Sequence, residues 1–398
     1  MNILLVTPYF VPAWSYGGPV KLVYELALQL QKSGHEVTVV TTDVLDRTHR
    51  HSESTAVLEG VRVHYFKNMS NTLAFRFNAY LPRGFRQWCR MHLQEYDVIH
   101  CHDAYTWLNV VIAREATRQG KPYFIQPHGA LNATRVVARL RFAKKFFLSI
   151  FPFVLRRASG IIVSTQAEKD VEIARLDARL IAKTSVVTNG VDVSQITPPS
   201  HDPHLRQELG ILPNELFILY FGRLQQIKGI DISLEALALL PDVAWKFVIV
   251  GRDEGEQAGF ERQIAHHHLQ DRVQFLGTVF GPRMKALLAA ADVFLFTSRS
   301  EGLPMAVLDA SAAGLPSILS VACNVPEIGE YGAGIVVSDN TPTQVAAALR
   351  SFAIQTPAER GHMQTRAHDV IREKFNLTLV TQQYLHLYQQ AQSLTTAV

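Results

Sequence analysis

Residues 293–316 read VFLFTSRSEGLPMAVLDASAAGLP, and this stretch decides the fold class. Its first four residues, Val293 to Phe296, are all apolar, which predicts a strand buried on both faces, as in a parallel sheet. A polar loop follows, and Met305 to Ala313 has the length and composition of a helix. A buried strand followed by a helix is half of a βαβ unit, so the stretch predicts a parallel α/β sheet.

The same alternation of short apolar runs and helix-length segments recurs along the chain. The other predicted strands are Ile3–Val6, Val37–Thr41, Val61–Phe66, Val98–Cys101, Tyr123–Gln126, Ile161–Val163, Ser185–Thr188, Phe217–Phe221, Lys246–Val250, Val273–Leu276, Ser317–Ser320 and Ile335–Val337. The other predicted helices are Lys21–Lys32, Asp231–Leu240, Pro282–Ala291 and Leu377–Gln392. The pattern therefore predicts an α/β protein with two consecutive parallel, Rossmann-like domains.

Length and charge divide the chain near its midpoint. At 398 residues, two domains of ordinary size are expected. Three prolines within residues 196–204 predict a linker. Residues 1–200 carry 24 Lys and Arg against 15 Asp and Glu, and the remaining 198 carry 15 against 20, so the halves have opposite net charge and are expected to have different partners. We predict domains at 1–200 and 201–376, followed by a C-terminal helix within 377–398.

Composition argues against several classes of protein. Hydrophobic residues make up 47% of the chain, too many for a mainly disordered protein. Three cysteines without a C-x-x-C spacing argue against a disulfide framework or a zinc cluster and fit a reducing compartment. The first residues lack the basic region of a secretory signal, and no apolar run reaches the roughly 20 residues that span a bilayer. We therefore expect a cytoplasmic protein.

The loop after the first predicted strand is long and rich in aromatic residues, including Tyr9 and Tyr16. It ends in Gly17 and Gly18, directly before a predicted helix. Glycines there let backbone N–H groups approach an anion at the positive end of the helix. The alternative is a surface loop whose glycines serve only for turning.

The turn after Phe221 contains two cations, Arg223 and Lys228, between a strand end and a helix start. Two cations at such a place suit a diphosphate, because charge-assisted hydrogen bonds are among the strongest. The alternative is a pair of solvated surface side chains. The turn is not a Walker P-loop, because the Gly-x-x-x-x-Gly-Lys-Ser/Thr pattern is absent from the sequence.

The loop after Phe296 holds two carboxylates eight residues apart, Glu301 and Asp309. Between them, Gly302, Leu303 and Pro304 lead into a helix whose first N–H groups can hold phosphate oxygens. A carboxylate at Asp309 can accept hydrogen bonds from ribose hydroxyls. The alternatives are a stabilising charge at the helix start for Glu301 and an ordinary helix position for Asp309.

Several polar residues follow strands of the first half. His128 comes after the predicted strand Tyr123–Gln126, where it is placed either to touch a substrate or to serve the structure alone. His100 and His102 share one face of their strand, and with Asp103 and Tyr105 they are expected to form a polar wall. A zinc site at these histidines is a weak alternative, because no helical His pair would complete it.

The sequence contains no Asp-x-Asp pair. Paired carboxylates are one way to hold a divalent ion on a diphosphate. We therefore expect no metal and no other cofactor, and the positive charge for a leaving diphosphate would come from Arg223 and Lys228.

These motifs together resemble the retaining glycosyltransferases of the GT-B fold in family four, the glycosyl transferases of group 1. The motifs span nearly the whole chain in the family's order. The residues that carry the resemblance are Gly17-Gly18-Pro19 before a helix, Ser33-Gly34-His35-Glu36, Asn189-Gly190-Val191-Asp192, Gly222-Arg223-Leu224 with Lys228-Gly229, Val250-Gly251, Ser300-Glu301-Gly302, and Asp309-Ala310 with Gly314-Leu315-Pro316.

The resemblance implies two Rossmann-like domains that face each other across a substrate cleft, with the C-terminal helix returning to the first domain. It implies catalytic roles for His128, Glu301, Arg223 and Lys228. The donor, a UDP- or GDP-sugar, would contact Gly17, Gly18, Arg223, Lys228, Gly251, Glu301, Gly302, Leu303, Pro304 and Asp309. The candidates on the acceptor side are Tyr9, Tyr16, Asp103 and Tyr105.

The resemblance also implies retention of anomeric configuration without a protein nucleophile, with the departing diphosphate accepting the proton of the acceptor. One position departs from the family pattern. Asp309 stands where the family usually has a Glu that holds the ribose. The shorter side chain keeps the charge and both oxygens, so we expect function to be retained.

Residues 133–157 contain seven Lys and Arg, no acidic residue and many aromatic and aliphatic residues. A basic helix with an aromatic face predicts attachment to an anionic membrane surface. A lipid-linked acceptor and a peripheral position on the inner face of the cell membrane would follow. The alternative is a helix whose apolar face packs on its own domain.

Three functions are compatible with these residues. The first is transfer of a hexose to a glycan or lipid-linked acceptor in cell-envelope polysaccharide or glycolipid synthesis. The second is a nucleotide-sugar epimerase or hydrolase of the same fold, disfavoured because no second acid/base set accompanies Glu301. The third is a non-catalytic protein that binds a nucleotide-sugar or nucleic acid. We expect no nucleic-acid partner, because the basic stretch lies apart from the motifs of the second half.

Overall fold

The computed structural model describes residues 1–131, 151–195 and 203–396. The chain divides into two compact units. Unit 1 comprises Met1–Gly190 and Leu377–Val398, and unit 2 comprises Val191–Asn376. The chain thus passes from unit 1 to unit 2 ahead of the proline-rich segment, and its last helix belongs to unit 1.

Unit 1 is built on an eight-stranded sheet with the order β3-β4-β2-β1-β5-β6-β7-β8. All neighbouring strands are parallel except β3, which runs antiparallel to β4. The strands are β1 (Asn2–Val6), β2 (Glu36–Thr42), β3 (Thr55–Leu58), β4 (Val61–Phe66), β5 (Val98–His102), β6 (Tyr123–Gln126), β7 (Gly160–Val163) and β8 (Thr184–Val186).

Helices cover the sheet of unit 1. Those with described bounds are α1 (Gly18–Lys32), α2 (Asn71–Phe77), α3 (Phe85–His92), α4 (Trp107–Gln119), α5 (Ala174–Leu176, continuing a π-helical turn at Glu168–Ile173) and the C-terminal helix, Leu377–Thr396. The C-terminal helix inserts Tyr384 and Tyr388 into the core, where both are buried. Their hydroxyls meet Gln126 and His100, respectively.

Unit 2 is built on a six-stranded parallel sheet with the order β11-β10-β9-β12-β13-β14. Its strands are β9 (Leu216–Phe221), β10 (Trp245–Val250), β11 (Val273–Gly277), β12 (Val293–Phe296), β13 (Ser317–Ser320) and β14 (Gly334–Val337). Its helices are α6 (Pro203–Glu208), α7 (Ile230–Ala238), α8 (Gln257–His266), α9 (Gly281–Ala290), α10 (Met305–Ala312), α11 (Glu327–Glu330), α12 (Pro342–Ala353) and α13 (Pro357–Lys374).

The predicted fold class is confirmed. Every predicted strand is present, and the central ones, such as β1 and β12, are buried because helices cover both faces of the sheet. The strand β3 was not predicted from the sequence. This strand is short, lies at the sheet edge and alternates between exposed and partly buried residues, so it lacks the continuous apolar run that marked the others.

Each sheet reverses its strand order once. In unit 1 the chain moves from β1 outward through β2 and then starts again on the other side of β1 at β5. In unit 2 the same reversal separates β9 from β12. At such a switch point the loops at the carboxyl ends of two adjacent strands diverge and leave a crevice in which ligands of open α/β sheets bind.

No helix in the described ranges combines the length and the apolar composition needed to cross a bilayer.

The crevice of unit 2 depends on a close main-chain contact at Gly229, which has a φ of 72°. A Cβ at Gly229 would lie 1.9 Å from the carbonyl oxygen of Thr297, whereas at Gly210, with a φ of 66°, it would meet nothing within 4 Å. We predict that Gly210→Ala costs about 1–2 kcal/mol of stability, since only the left-handed backbone is penalised. Gly229→Ala must also move main chain, so it should cost more than about 4 kcal/mol or prevent folding.

Urea denaturation of both variants measures the difference. The clash explanation would be wrong if the two substitutions destabilised the protein equally.

Candidate functional site

An ion pair joins the two loops at the switch point of unit 2. Lys228 ends a 3-10 turn after β9, and Glu301 lies in the loop after β12. The Nζ of Lys228 donates to Oε1 of Glu301 at 2.6 Å. The side chains are only 12% and 5% exposed, so this contact is largely shielded from water. The structure therefore brings together two predicted site residues that lie 73 positions apart in the sequence.

Glu301 is held from several sides. The hydroxyl of Ser298 donates to the same Oε1 at 2.6 Å. Main-chain contacts fix the loop, since the N–H of Glu301 donates to the Ala322 carbonyl at 3.0 Å and the Asn324 amide donates to the Glu301 carbonyl at 2.7 Å. The carboxylate accepts from Lys228 and Ser298, and its main chain is held on both sides, so it is fixed in position before any ligand arrives.

Lys228 is positioned by the residues that flank it. Gly229 ends the turn, and the Thr297 hydroxyl donates to its carbonyl at 2.7 Å. The N–H of Arg299 donates to the Ile227 carbonyl at 2.8 Å. The ammonium lies 5.5 Å from the ring centroid of Phe296, within range of a cation–π interaction. The loops after β9 and β12 are thus tied together on both sides of Lys228.

Arg223 follows β9 and lies near a carboxylate on the next loop. Its NH1 is 3.8 Å from Oε1 of Glu254, and its side chain is 38% exposed. Behind it, Gly251 packs against Gly222 so closely that a Cβ on Gly251 would lie 1.7 Å from the Gly222 carbonyl oxygen. Only glycine fits at Gly251, so its place in the predicted motif has a structural cause.

The entry to α10 follows Glu301. Gly302 and Leu303 are partly buried, and Pro304 caps the helix without a side-chain hydrogen bond. The first N–H groups of α10 therefore receive no side-chain cap from Pro304. Asp309 is the fifth residue of the helix and is half-buried.

In unit 1 a hydrogen bond joins the loops at the switch point. The hydroxyl of Tyr9, after β1, donates to Oδ2 of Asp103, after β5, at 3.0 Å. The ring of Tyr9 stacks on Tyr16 with centroids 4.2 Å apart, and Tyr80 meets both rings edge-on. Three of the predicted acceptor-side residues therefore form one cluster.

The fourth predicted acceptor-side residue, Tyr105, packs on Phe151 with ring centroids 4.5 Å apart. Burial raises the pKa of its hydroxyl to about 12. Tyr105 and Asp103 both have a positive φ, 57° and 74°. This backbone is unfavourable for residues with a Cβ and tends to occur at functional sites.

Asp103 titrates at an unusual pH. Burial raises its pKa to about 6, although the Ala104 N–H and the Tyr9 hydroxyl both donate to the carboxylate and oppose the shift. The N–H of Ala104 is 2.6 Å from Oδ1. Asp103 is therefore charged at neutral pH and becomes protonated in mild acid.

His128 follows β6 with a φ of 52°, again in the left-handed region. Its Nε2 is 3.0 Å from Nδ1 of His102. Burial lowers the pKa of His128 to about 4, so its ring is neutral near pH 7. The next N–H, of Gly129, donates to Oε1 of Glu168 at 3.0 Å, which fixes the turn.

Gly17 and Gly18 lie at the start of α1. Gly17 is the N-cap with a φ of 75°, and Gly18 and Pro19 begin the helix. The remaining prediction, a membrane-binding helix at 133–157, falls mostly outside the described residues. Within its described part, residues 151–157, Phe151 is buried and Arg156 donates to Asp177 at 3.1 Å.

Some residues of the two sites were not predicted from the sequence. Ser298 and Glu254 contact the predicted residues Glu301 and Arg223, and Glu168 accepts from the N–H of Gly129, the residue after His128. The contacts of Glu254 and Glu168 join separate segments of the chain. For Ser298 a signal existed, since a hydroxyl three residues before Glu301 on a loop can turn back to it. For the others, none of the patterns used above gave a signal. Within the described residues, no three His, Cys, Asp or Glu side chains are grouped so as to hold a metal ion.

Two family models match the chain. Residues 16–195 match the model described as glycosyltransferase family 4, and residues 202–369 match the model described as glycosyl transferases group 1. Together the two matches account for most of the chain.

Individual proteins are similar over nearly the full length. A GDP-mannose:cellobiosyl-diphosphopolyprenol alpha-mannosyltransferase of Xanthomonas campestris is 26% identical over 368 residues, which cover 90% of this chain and 89% of that protein. The structure of Anabaena HepE in complex with UDP and glucose has a TM-score of 0.77 at 22% identity, covering 98% of this chain and all of that one. Sucrose-phosphate synthase from Thermosynechococcus elongatus has a TM-score of 0.75 at 20% identity, covering both chains fully. Both structures show the GT-B fold.

The shielded Lys228–Glu301 pair should matter for stability. We predict that Lys228→Met destabilises the protein by about 3 kcal/mol, because the Glu301 carboxylate loses its counter-charge in a place with little water. The control is Arg299→Met in the same pair of loops, since Arg299 and Asp231 form a more exposed ion pair, with side chains 40% and 22% exposed. It should cost no more than about 1 kcal/mol. Urea denaturation at pH 7 compares them, and equal losses would contradict the shielding of the Lys228–Glu301 pair.

The raised pKa of Asp103 predicts a pH dependence of stability. Between about pH 4 and pH 6 the folded chain binds the Asp103 proton more tightly than the unfolded chain does. The contribution of Asp103 to the free energy of unfolding therefore falls as the pH rises through that window. The difference in unfolding free energy between the native protein and Asp103→Asn should decrease from pH 4 to pH 6 and level off above. His128 titrates with the opposite sign but is present in both proteins, so its contribution cancels. A difference in unfolding free energy that stays constant across this pH range would contradict the raised pKa of Asp103.

Proposed function

The chain belongs to the family-four glycosyltransferases of the GT-B fold, and from that premise we propose that it transfers a hexose from a UDP- or GDP-linked sugar, without a metal ion and with retention of configuration. The observation that carries the proposal is the Lys228–Glu301 pair at the switch point of unit 2. The acceptor is a glycan or a lipid-linked saccharide.

The donor contacts follow from the chemistry of that crevice. Lys228 and Arg223 hold the diphosphate, since each offers several charged N–H donors. Glu301 accepts hydrogen bonds from sugar hydroxyls, and Lys228 and Ser298 keep its carboxylate in place. The backbone of Gly302, Leu303 and Pro304 at the start of α10 binds phosphate or sugar oxygens.

Asp309 binds the ribose, and Gly251 keeps main chain close to the nucleotide. In unit 1 we assign donor contacts to Gly17, Gly18 and His128. The acceptor-side contacts belong to the cluster of Tyr9, Tyr16 and Asp103, together with Tyr105.

The reaction exchanges one bond at the anomeric carbon for another. The bond from that carbon to the diphosphate oxygen breaks, and a bond to the acceptor hydroxyl oxygen forms on the same face. The acceptor proton passes to the departing diphosphate. Arg223 and Lys228 stabilise the charge that develops on the leaving group, and the remaining residues position the reactants. These two cations supply the charge that a metal would otherwise provide, consistent with a sequence that lacks an Asp-x-Asp pair.

Two observations support a lipid-linked acceptor. The similar protein of Xanthomonas campestris is named for a diphosphopolyprenol acceptor and a GDP-mannose donor. The basic, aromatic sequence at 133–157 suits an anionic membrane surface. We therefore propose peripheral attachment to the inner face of the membrane and a role in cell-envelope polysaccharide or glycolipid synthesis.

The melting temperature with UDP, GDP, ADP and their sugars, in the presence of EDTA, tests the donor site. One diphosphate should stabilise the protein by about 2.7 kcal/mol at a hundred times its dissociation constant. Lys228→Ala should abolish the shift, whereas Lys246→Ala should preserve it, because Lys246 lies at the opposite, amino-terminal part of β10 and bonds the Asp271 carbonyl.

Product analysis then separates transfer from its alternatives. With the stabilising donor and lipid-linked oligosaccharides, NMR of the product should show the anomeric configuration of the donor. Sugar release without an acceptor would favour a hydrolase, and loss of activity in EDTA would overturn the metal-free proposal.

A further inference from the structure

Two histidines of unit 1 meet at the carboxyl ends of adjacent strands. His102 is the last residue of β5 and is 1% exposed. His128 lies two residues beyond the end of β6, its neighbour in the sheet. Nδ1 of His102 and Nε2 of His128 are 3.0 Å apart, a hydrogen-bonding distance.

The geometry of this contact is that of an in-plane hydrogen bond. The two ring planes differ by only 8°, and the ring centroids are 5.2 Å apart. The nitrogens are much closer than the centroids, so the rings meet edge to edge and not face to face. A ring nitrogen lone pair lies in the ring plane, so one nitrogen donates along the lone pair of the other.

The surroundings of His102 decide which nitrogen carries the proton. Among the residues that the structure describes, its Nε2 is buried without a hydrogen-bond partner. A buried N–H without an acceptor is rarer and more costly than a buried acceptor without a donor. A neutral imidazole has one N–H, so His102 keeps it on Nδ1, where a partner exists. His102 is then the donor, and Nε2 of His128 is the acceptor.

We propose that His102 is a positioning residue that fixes His128 as the neutral Nδ1–H tautomer, with its Nε2 occupied. His128 then offers its substrate a hydrogen-bond donor at Nδ1, not a base at Nε2. The role toward substrate rests on the function proposed above, whereas the tautomer stands on the contacts of unit 1 alone.

The other groups that face this pair favour the neutral state. The ring of His100 is 4.1 Å from that of His102, and its Nδ1 is paired with the Tyr388 hydroxyl at 2.7 Å. Burial lowers the pKa of His100 and of His102 well below the usual value, so no ring in the group carries a charge near pH 7. The carboxylate of Glu168 is engaged by the Gly129 and Ser164 N–H groups.

Nitrogen NMR of protein labelled at histidine tests the tautomer directly, because protonated and unprotonated ring nitrogens have well-separated shifts. The His128 signals are assigned by their loss in His128→Gln. The native protein at pH 7 should show His128 with a protonated Nδ1. A protonated Nε2 in the native protein would overturn the proposal, and that result needs no variant of His102 to fold.

Variants of His102 supply the second test. His102→Leu removes the donor, so His128 should revert to the Nε2–H form that predominates in free histidine. His102→Asn places an amide N–H near the former Nδ1 and should keep the native tautomer. The matched control is His100→Asn, equally buried two residues earlier but paired with Tyr388, and it should leave the His128 signals unchanged. If His102→Leu also left them unchanged, the positioning role would be wrong.

Kinetics separates this inference from the proposed function. His102→Leu should lower kcat by about 10- to 100-fold with little change in the KM for the donor, and His102→Asn should restore most of it. In a His128→Ala background, His102→Leu should cause no further loss. An Nδ1–H tautomer that depends on His102 but has no effect on kcat would support the positioning and overturn the role of His128 in transfer. Loss of kcat with the tautomer unchanged would overturn the positioning.

Discussion

The close approach of Gly229 to the Thr297 carbonyl holds the crevice of unit 2 together. Lys228 is the residue before Gly229, and Glu301 follows Thr297 by four positions, so the distance between the two loops sets the distance of the ion pair. A side chain at Gly229 would push apart the two strand ends that the pair bridges. The contact between Gly251 and the Gly222 carbonyl does the same for the neighbouring pair of strands. The geometry of the candidate site in this unit therefore begins with main-chain packing.

Unit 1 uses the same topology with different chemistry. Both sheets have one switch point, and in both a side-chain contact joins the two diverging loops. In unit 2 it is a shielded ion pair, and its Lys228 ammonium is the kind of cation that binds phosphate oxygens. In unit 1 it is the hydrogen bond of Tyr9 to Asp103, whose pKa is near 6. A crevice of this kind suits neutral hydroxyl groups, which is the chemistry expected of a saccharide acceptor.

The sequence predicts strands and strand-end residues well because both leave local patterns. The buried run before Thr297 and the paired Gly and cation after Phe221 are visible without any structure. The short edge strand at Thr55–Leu58 leaves no such run. Contacts between distant segments are also invisible in the sequence, since nothing local connects Glu168 to Gly129 or Glu254 to Arg223. The sequence placed His100 and His102 on one face but could not show that each meets a different partner.

The backbone conformation at the strand ends is a further difference between the two units. In unit 2 the residues with positive φ after β9 and β10 are glycines, namely Gly222, Gly229, Gly251 and Gly255. Glycine lets main chain come close to main chain or ligand. In unit 1 the positions after β5 and β6 include Asp103, Tyr105 and His128, which carry side chains in the same unfavourable region at a cost of about 1–2 kcal/mol each. Glycine would remove that cost and also the functional group. Under the proposed function, unit 2 would recognise its ligand largely with backbone groups and two cations, whereas unit 1 would contribute the chemistry of side chains held in a strained backbone.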